Sequence, residues 1–183
     1  VLFNILAAFG AGALAASIGA VNAFIMTGIL AIVAGVLTCL GLDAGFTATI
    51  AFGTVLGPHM SFAAGAAATA YAKKKGYIDN GCALGQGLAF LGKADVLVVG
   101  GIFGVIALLI ADFVVAKIFG GLIPFGTDNP GMTVVISGII ARLAFTDNGV
   151  KSKNPTFMSK GDALVALLVR AGALSLMAGG TGV

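Results

Sequence analysis

Long apolar runs alternate with short polar breaks along the chain, and this alternation predicts a bundle of helices. Apolar runs cover residues 1–19, 22–42, 95–119, 131–145 and 163–178. The runs at 22–42 and 95–119 are long enough for a helix that crosses a bilayer, which requires about 20 residues. The other runs are shorter, so they are expected to be short or broken membrane segments.

A further apolar stretch, residues 44–72, breaks at Gly57-Pro58-His59 and ends at three lysines, residues 73–75. It is long for one helical crossing and short for a two-crossing hairpin. Proline removes a backbone donor and clashes with the preceding turn, so one unbroken helix is not expected. In lipid, non-helical backbone persists only where protein buries it or where it lines a polar cavity. This break, which carries the only histidine, is therefore the first place to expect function.

Composition indicates that the apolar runs face lipid. The chain has 183 residues, of which only 9% are charged, whereas soluble domains carry about 25%. Such a chain cannot cover itself with polar surface in water, so we expect one integral membrane domain, residues 1–183, in a prokaryotic cytoplasmic membrane. The ten basic residues are scattered over several junctions, which argues against a nucleic-acid partner. Membrane lipid is the expected surrounding.

Small residues indicate close contact between helices. The chain contains 29 glycines, and Ala8, Gly12, Ala16 and Ala20 recur at intervals of four. Such a stripe suits a tight helix crossing, and the abundance of small surface residues predicts a homo-oligomer or membership of a larger membrane complex. Cys39 and Cys82 lie in apolar surroundings and are expected to be packing residues.

An internal repeat is predicted when the chain is aligned with itself at an offset of 73 residues. Residues 7–72 then match residues 80–145, with 12 identities in 66 pairs. Phe-Gly-Thr occurs in both copies, at 52–54 and 125–127, and the proline breaks nearly coincide. Interrupted segments at matching positions of two halves point to the central site of a transporter. The copies are inverted if all three segments of each span, and parallel if the broken segment only dips into the membrane.

The remaining chain is predicted to form a polar linker, residues 146–160, and a C-terminal helix within residues 161–183. The predicted fold class is thus an all-α integral membrane protein. It would have six to seven transmembrane or re-entrant helices and a twofold repeat of about 73 residues.

The candidate site combines the two breaks with the polar residues near them. The substrate or ion path would contain Thr54, His59, Asp112, Thr127, Asp128 and Asn129, with helix breaks at Gly57, Pro58, Pro130 and Gly131. Histidine can relay protons, bind a ligand or respond to pH, or it can cap backbone groups of the break. The threonines line a path or bond freed backbone groups. Asp128 contacts a solute or serves as a helix N-cap.

Asp112 interrupts the apolar run at 95–119. An acid within a span is costly and is usually functional or paired. It contacts a proton or cation, or it pairs with Arg142 or Arg170 on another helix. Both readings stay open on sequence alone.

Enzyme activity is not expected. With one histidine and no cluster of Cys, His, Asp and Glu at ligand spacing, the sequence predicts no metal site. No glycine-rich phosphate loop is present, so neither catalytic residues nor a cofactor are expected.

The runs GPHMSFAAGAAATAYAKKKG, DVLVVGGIFGVIALL and ISGIIARLAF resemble a family of uncharacterised prokaryotic polytopic membrane proteins, a domain of unknown function. The resemblance covers residues 52–145 and implies a multi-spanning fold without an established activity. We expect a small transporter or channel whose polar site lies near midplane, where the two breaks meet. The alternative is a structural, lattice-forming or anchor protein without transport activity.

Overall fold

The computed structural model describes residues 2–42, 44–122 and 128–146, and all regular secondary structure in these ranges is helical. The α-helical segments are α1 (Leu2–Ile18), α2 (Ala20–Cys39), α3 (Ser61–Lys74), α4 (Ala94–Leu109), α5 (Gly120–Leu122) and α6 (Asn129–Phe145). A π-helical segment, Ile110–Phe119, joins α4 to α5, so Ala94–Leu122 is one continuous helix of 29 residues. The predicted all-α class is confirmed for the described residues.

Two of these helices are long and apolar enough to cross a membrane, namely α2 and the continuous helix Ala94–Leu122. Helices α1 and α6 are also apolar, but they have 17 residues each. The stretch before α3 contains only a short π-helical turn, Thr47–Ala51. The predicted membrane class is therefore supported by length and composition of two helices.

Three members of the predicted stripe of small residues, Ala8, Gly12 and Ala16, lie in the contact between α1 and α4. The fourth, Ala20, is the first residue of α2 and packs against Gly65 of α3, and all four are buried. Gly12 lies directly against the backbone carbonyl of Gly100, and Gly104 lies against the carbonyl of Ala8. Because a side chain at Gly12 or Gly104 would overlap this backbone, the two helices can approach this closely only through glycine. The pairing also shows that α1 and α4 run antiparallel.

Gly19 reverses the chain between α1 and α2. Its φ of 101° lies in the left-handed region that glycine adopts readily. A side chain there would also approach the carbonyl oxygen of Gly85 to 3.0 Å. The tight reversal therefore depends on glycine for both conformation and space.

Helix α3 is the most enclosed helix of the described residues and packs against α1, α2, α4 and α6. Its inner surface is built from small residues, and Gly65 lies so close to Ala20 that a Cβ would stand 2.9 Å from the Cα of Ala20. Since lipid offers no hydrophobic drive between helices, such close packing is the expected source of association.

Side-chain contacts give the directions of the last two long helices. The hydroxyl of Tyr71, near the end of α3, donates to Asp95 near the start of α4 at 3.1 Å. The Nζ atom of Lys74 donates to the carbonyl of Ala144, near the end of α6, at 2.7 Å. Helices α3 and α6 therefore run in the same direction, antiparallel to α4.

One end of the bundle, which we call the basic end, collects most of the described cations. It contains Tyr71, Lys73, Lys74, Lys75, Tyr77, Lys93, Asp95 and Arg142. Both tyrosine hydroxyls donate to Oδ2 of Asp95, at 3.1 Å and 3.2 Å. Partial burial and this hydrogen bond raise the pKa of Tyr77. Lys75 and Lys93 lie over the tyrosine rings, with their Nζ atoms 5.6 Å and 5.4 Å from the ring centroids.

The opposite end, which we call the far end, contains the last residue of α2, Cys39, together with Asp112, Lys117 and Asp128. Cys39 is exposed, and so is Cys82 in the connection between α3 and α4. Both thiols are free, and the expectation that they are packing residues is not met among the described residues, because both are exposed.

Residues 80–92, which the alignment at 73 residues pairs with residues 7–19, do not form a helix like α1. The structure has turns there, followed by one 3₁₀ turn, Ala89–Leu91. The backbone N–H of Leu88 bonds the carbonyl of Ala16, and the N–H of Val21 bonds that of Leu84. This segment therefore closes the α1–α2 turn and forms no counterpart of α1. The repeat itself stays a prediction, and its matches at 123–127 lie outside the described residues, as do residues 147–183.

Candidate functional site

The break at Gly57-Pro58 is buried, and two hydroxyl groups bond its backbone. Thr27 on α2 donates to the carbonyl of Leu56 at 2.5 Å, and Ser61 donates to the carbonyls of Leu56 and Gly57 at 3.3 Å and 3.2 Å. A buried carbonyl without a partner is costly, so these bonds stabilise the irregular backbone ahead of α3. The sequence prediction assigned this role to Thr54 or His59 and missed Thr27 and Ser61.

His59 is buried beside this break. It is 7% exposed, and its Nδ1 atom has no hydrogen-bond partner among the described residues. The imidazole covers Gly57 so closely that a Cβ there would lie 2.7 Å from Cε1. The carboxylates of Asp112 and Asp128 both act on it electrostatically. A buried polar atom without a partner calls for an explanation. At this break that atom is Nδ1 of His59, which is therefore able to bond a further group.

The start of α6 lies against the π-helical segment. Asn129 donates from Nδ2 to the carbonyl of Ala111 at 3.2 Å, and its Oδ1 accepts from the hydroxyl of Thr133 at 3.1 Å. Asn129 thus connects the second break to Ala111 in the π-helical segment, and Ala111 belongs to the same buried cluster as Met60, the residue next to His59.

Asp128 is the N-cap of α6. Its Oδ1 atom accepts from the backbone N–H of Gly131 at 3.1 Å, and Pro130 occupies an early position in the helix where a missing N–H costs little. The carboxylate lies directly over the Cα of Gly131, where a side chain would collide with it. The N-cap interpretation is confirmed. Asp128 is also exposed, so its carboxylate stays accessible while it caps the helix.

The two proline breaks line one cavity. Its volume is about 370 Å³, and its walls are Phe24, Phe52, Pro58, Phe62, Asp128, Pro130, Gly131 and Val134. Phe24 and Phe62 are in ring contact, with centroids 5.7 Å apart. The cavity therefore has largely apolar and aromatic walls and one carboxylate. The phenylalanines were not in the predicted site, since nothing in sequence spacing separates a cavity wall from a lipid-facing position.

Helix α6 carries two buried hydroxyls that the sequence analysis did not single out. Thr133 and Ser137 are 0% exposed and lie four residues apart on one face. The Oγ atom of Ser137 has no hydrogen-bond partner among the described residues. A polar residue every fourth position in an apolar helix was the signal that could have found them.

Asp112 does not pair with Arg142. Because α6 runs antiparallel to α4, Asp112 lies near the start of α6, whereas Arg142 lies near its end. Asp112 is exposed at the far end and is not among the residues that line the cavity. Arg170, the other predicted partner, lies outside the described residues.

Thr54 and Thr127 are the remaining predicted path residues. Thr54 is half-buried in the turn before the break, and Thr127 lies outside the described residues. In the described part of the chain, no group of three His, Cys, Asp or Glu residues could hold a metal ion.

Comparison with known families gives one match. A model described as a family of unknown function (DUF7973) matches residues 1–157. The comparisons with curated proteins and with solved structures gave no match.

Proposed function

The chain belongs to the DUF7973 family of unknown function, and we propose that it is a small membrane transporter whose cavity binds organic cations. The observation that carries this proposal is the shared cavity of the two breaks. Pro58 and Pro130, from different parts of the chain, face the same space together with Asp128. A prokaryotic cytoplasmic membrane is the proposed location, as the sequence analysis expects.

The exposed surface supports embedding in a bilayer. Helix α2 has 20 residues, which corresponds to about 30 Å at 1.5 Å per residue, the thickness of a typical hydrocarbon core. Its outer face carries large apolar side chains, among them Ile25, Ile29, Ile32 and Val36, each more than half exposed. A contiguous apolar face of this kind is unfavourable in water.

Charge supports an orientation. Of the six described lysines and arginines, five lie at the basic end and only Lys117 lies at the far end. Cytoplasmic segments of membrane proteins carry an excess of Lys and Arg. We therefore place the basic end in the cytoplasm. The tyrosine pair around Asp95 lies at the same level, as expected for residues at a membrane interface.

This orientation predicts opposite accessibility of the two native cysteines. Cys39 lies at the far end and Cys82 at the basic end, and both are exposed. In intact cells, a membrane-impermeant maleimide carrying polyethylene glycol should label Cys82→Ser protein, which retains only Cys39. It should label Cys39→Ser protein only after the cells are permeabilised. The mass shift on a denaturing gel measures both.

A cysteine-free double variant controls for other reactions of the reagent. Labelling of Cys82 but not Cys39 in intact cells would reverse the orientation. Equal labelling of both single-cysteine variants in intact cells would contradict embedding in the membrane.

The cavity lies at the level of the middle part of the two long helices. Asn129 donates to the carbonyl of Ala111, which is 17 residues after the start of the helix Ala94–Leu122 and 11 residues before its end. Thr27, which bonds the first break, lies within α2 and not at either of its ends. We therefore propose a site near the midplane of the membrane, as the sequence analysis expects.

The cavity lining supports a cation as the solute. Three phenylalanines and one carboxylate surround the space, and aromatic faces attract organic cations by about 0.5–2 kcal/mol each. Asp112, the other nearby acid, acts on His59 electrostatically. An anion would meet the carboxylate of Asp128 and no cation among the described residues of the cavity wall, so the lining disfavours anionic solutes.

Helix directions favour one of the two repeat arrangements. In the alignment at 73 residues, α2 corresponds to α4 and α3 corresponds to α6. Helices α2 and α4 both run away from the basic end, whereas α3 and α6 both run toward it. This supports parallel copies. The candidate path would then be Thr54 and His59 from one copy and Thr127, Asp128 and Asn129 from the other.

Uptake by proteoliposomes tests the transport function. Vesicles with an inside-negative potassium diffusion potential are given radiolabelled benzyltrimethylammonium, a permanent aromatic cation. Uptake should be saturable and at least severalfold above that of empty vesicles, and benzenesulfonate should not enter above the empty-vesicle level. We expect His59→Ala to change the rate, because His59 lies beside the break that lines the cavity.

Uptake at the empty-vesicle level that does not respond to His59→Ala would overturn the transport proposal. The remaining candidate would then be a structural, lattice-forming or anchor protein. One observation favours it: Gly28 and Gly35 lie on the outside of α2 with no atom within 4 Å of a built Cβ, which leaves room for close approach of a second copy or of another membrane subunit. Ordered arrays in native membranes would then be expected by electron microscopy.

A further inference from the structure

A second cavity lies at the basic end, away from the candidate transport site. It is about 540 Å³ in volume and lies between α3, α6 and the connection that follows α3. Lys73, Lys74 and Arg142 are among its lining residues, and none of the described residues that line it is acidic. Asp79 and Asp95, the described carboxylates of this end, do not line the cavity, and Asp95 is already bonded by Tyr71 and Tyr77.

The cations of this cavity differ from the other lysines of the same end. The Nζ atom of Lys74 donates one hydrogen bond, to the carbonyl of Ala144 at 2.7 Å, so further N–H groups of the ammonium remain. Lys75 and Lys93 instead lie over the rings of Tyr71 and Tyr77. Lys73 and Lys74 thus line the cavity, whereas Lys75 and Lys93, which carry the same charge at the same end of the bundle, lie outside it.

Apart from Thr146, the rest of the described cavity lining is apolar or weakly polar. Its walls continue along α3 through Ala66, Ala67 and Ala70 and along α6 through Gly138 and Ala141. No atom lies within 4 Å of a Cβ built on Gly138, so the groove is open at this point. A basic mouth above a narrow apolar groove matches a molecule that has an anionic head and a hydrocarbon tail.

We propose that this cavity, which we call the basic groove, binds one anionic phospholipid from the cytoplasmic leaflet. The phosphate would lie among Lys73, Lys74 and Arg142, and an acyl chain would follow the alanine and glycine walls. Basic pockets between helices on the cytoplasmic side are known to select anionic lipid headgroups. The proposal needs the membrane orientation given above, but it does not depend on transport of a cation.

Native mass spectrometry of the purified protein in detergent tests the proposal. Phosphatidylglycerol is titrated against phosphatidylcholine with the same acyl chains. We expect one phosphatidylglycerol bound at least about tenfold more tightly than phosphatidylcholine. Lys73→Gln with Lys74→Gln should reduce this affinity about tenfold, whereas Lys75→Gln with Lys93→Gln should change it less than twofold.

Two further measurements separate a lipid site from simple charge attraction. Gly138→Leu keeps every charge but fills the groove, and it should weaken phosphatidylglycerol binding severalfold. Inorganic phosphate at 100-fold excess over the lipid should not displace phosphatidylglycerol. Thermal melting by circular dichroism checks that each variant is folded.

Equal loss of affinity in both double lysine variants would contradict the proposal, because general surface charge would then explain the binding. Displacement by inorganic phosphate would indicate a site for free phosphate and would also overturn it. Unchanged phosphatidylglycerol binding in Gly138→Leu would show that the lipid does not occupy the groove, which would also contradict the proposal. The cysteine labelling is independent of all three results, so failure here is distinguishable from failure of the membrane orientation.

Discussion

Gly12→Ala is expected to destabilise the protein by about 1–3 kcal/mol, the usual cost of forcing an extra group into a packed core. The alanine Cβ would overlap the backbone carbonyl of Gly100, and it would also lie 3.1 Å from the Cβ of Ala64. Backbone cannot move aside as a flexible side chain can, so α1 and α4 would have to separate. Because packing is the main source of helix association in lipid, the loss is not offset elsewhere.

Gly10→Ala is the matched control, since it makes the same change two residues away on the same helix. No atom lies within 4 Å of a Cβ built on Gly10. Alanine favours helix over glycine by about 1 kcal/mol, so this variant should melt at or slightly above the wild-type temperature. Circular dichroism melting in the same detergent measures both. Equal melting temperatures for the two variants would contradict the glycine-mediated contact of α1 with α4.

Asp128→Asn is expected to reduce the affinity for benzyltrimethylammonium about tenfold, which corresponds to about 1.4 kcal/mol. Asp128 is the only charged residue among the described residues that line the cavity of the two breaks. Asparagine is as good an N-cap as aspartate, so its side-chain oxygen can keep the hydrogen bond from Gly131. The substitution therefore removes the charge and leaves the start of α6 in place. Isothermal titration in detergent measures the change.

Asp112→Asn provides the control for this prediction. It removes the same charge at the same end of the bundle, but from a side chain that does not line the cavity. Its effect on benzyltrimethylammonium should be less than twofold, and benzyl alcohol, a neutral aromatic probe, should bind both variants and wild type equally. Equal effects of the two substitutions, or an equal loss of benzyl alcohol binding in Asp128→Asn, would contradict direct contact of the cation with Asp128.

The lengths of the apolar runs and the positions of the prolines were enough to predict most of the described helices. The runs at 22–42, 95–119 and 131–145 correspond to α2, the long helix from Ala94 and α6. Pro58 and Pro130 marked helix starts, because proline is tolerated in a first turn but not in a helix interior. The small-residue stripe through Gly12 was also predictable, since its spacing of four is a property of the helix alone.

Residues 80–92 and Asp112 could not be interpreted in this way. The segment before α4 is apolar enough for a short helix, yet its backbone bonds Ala16 and Val21 of the α1–α2 turn. Asp112 has two basic residues elsewhere in the chain as formal partners, but the antiparallel direction of α6 places Arg142 at the opposite end. The structure of residues 80–92 and the separation of Asp112 from Arg142 both depend on which helices pack together and in which direction they run.

By itself, the sequence determined the all-α class, the two helices long enough to cross a bilayer, and the two proline breaks, because hydrophobic length and proline geometry act within a few residues. Only the tertiary structure decided that Pro58 and Pro130 share one cavity, that Thr27 bonds the broken backbone, and that Lys73 and Lys74 line a groove while Lys75 does not. These are contacts between distant parts of the chain. Their geometry follows from the direction and close packing of α1, α3, α4 and α6, which local sequence patterns do not specify.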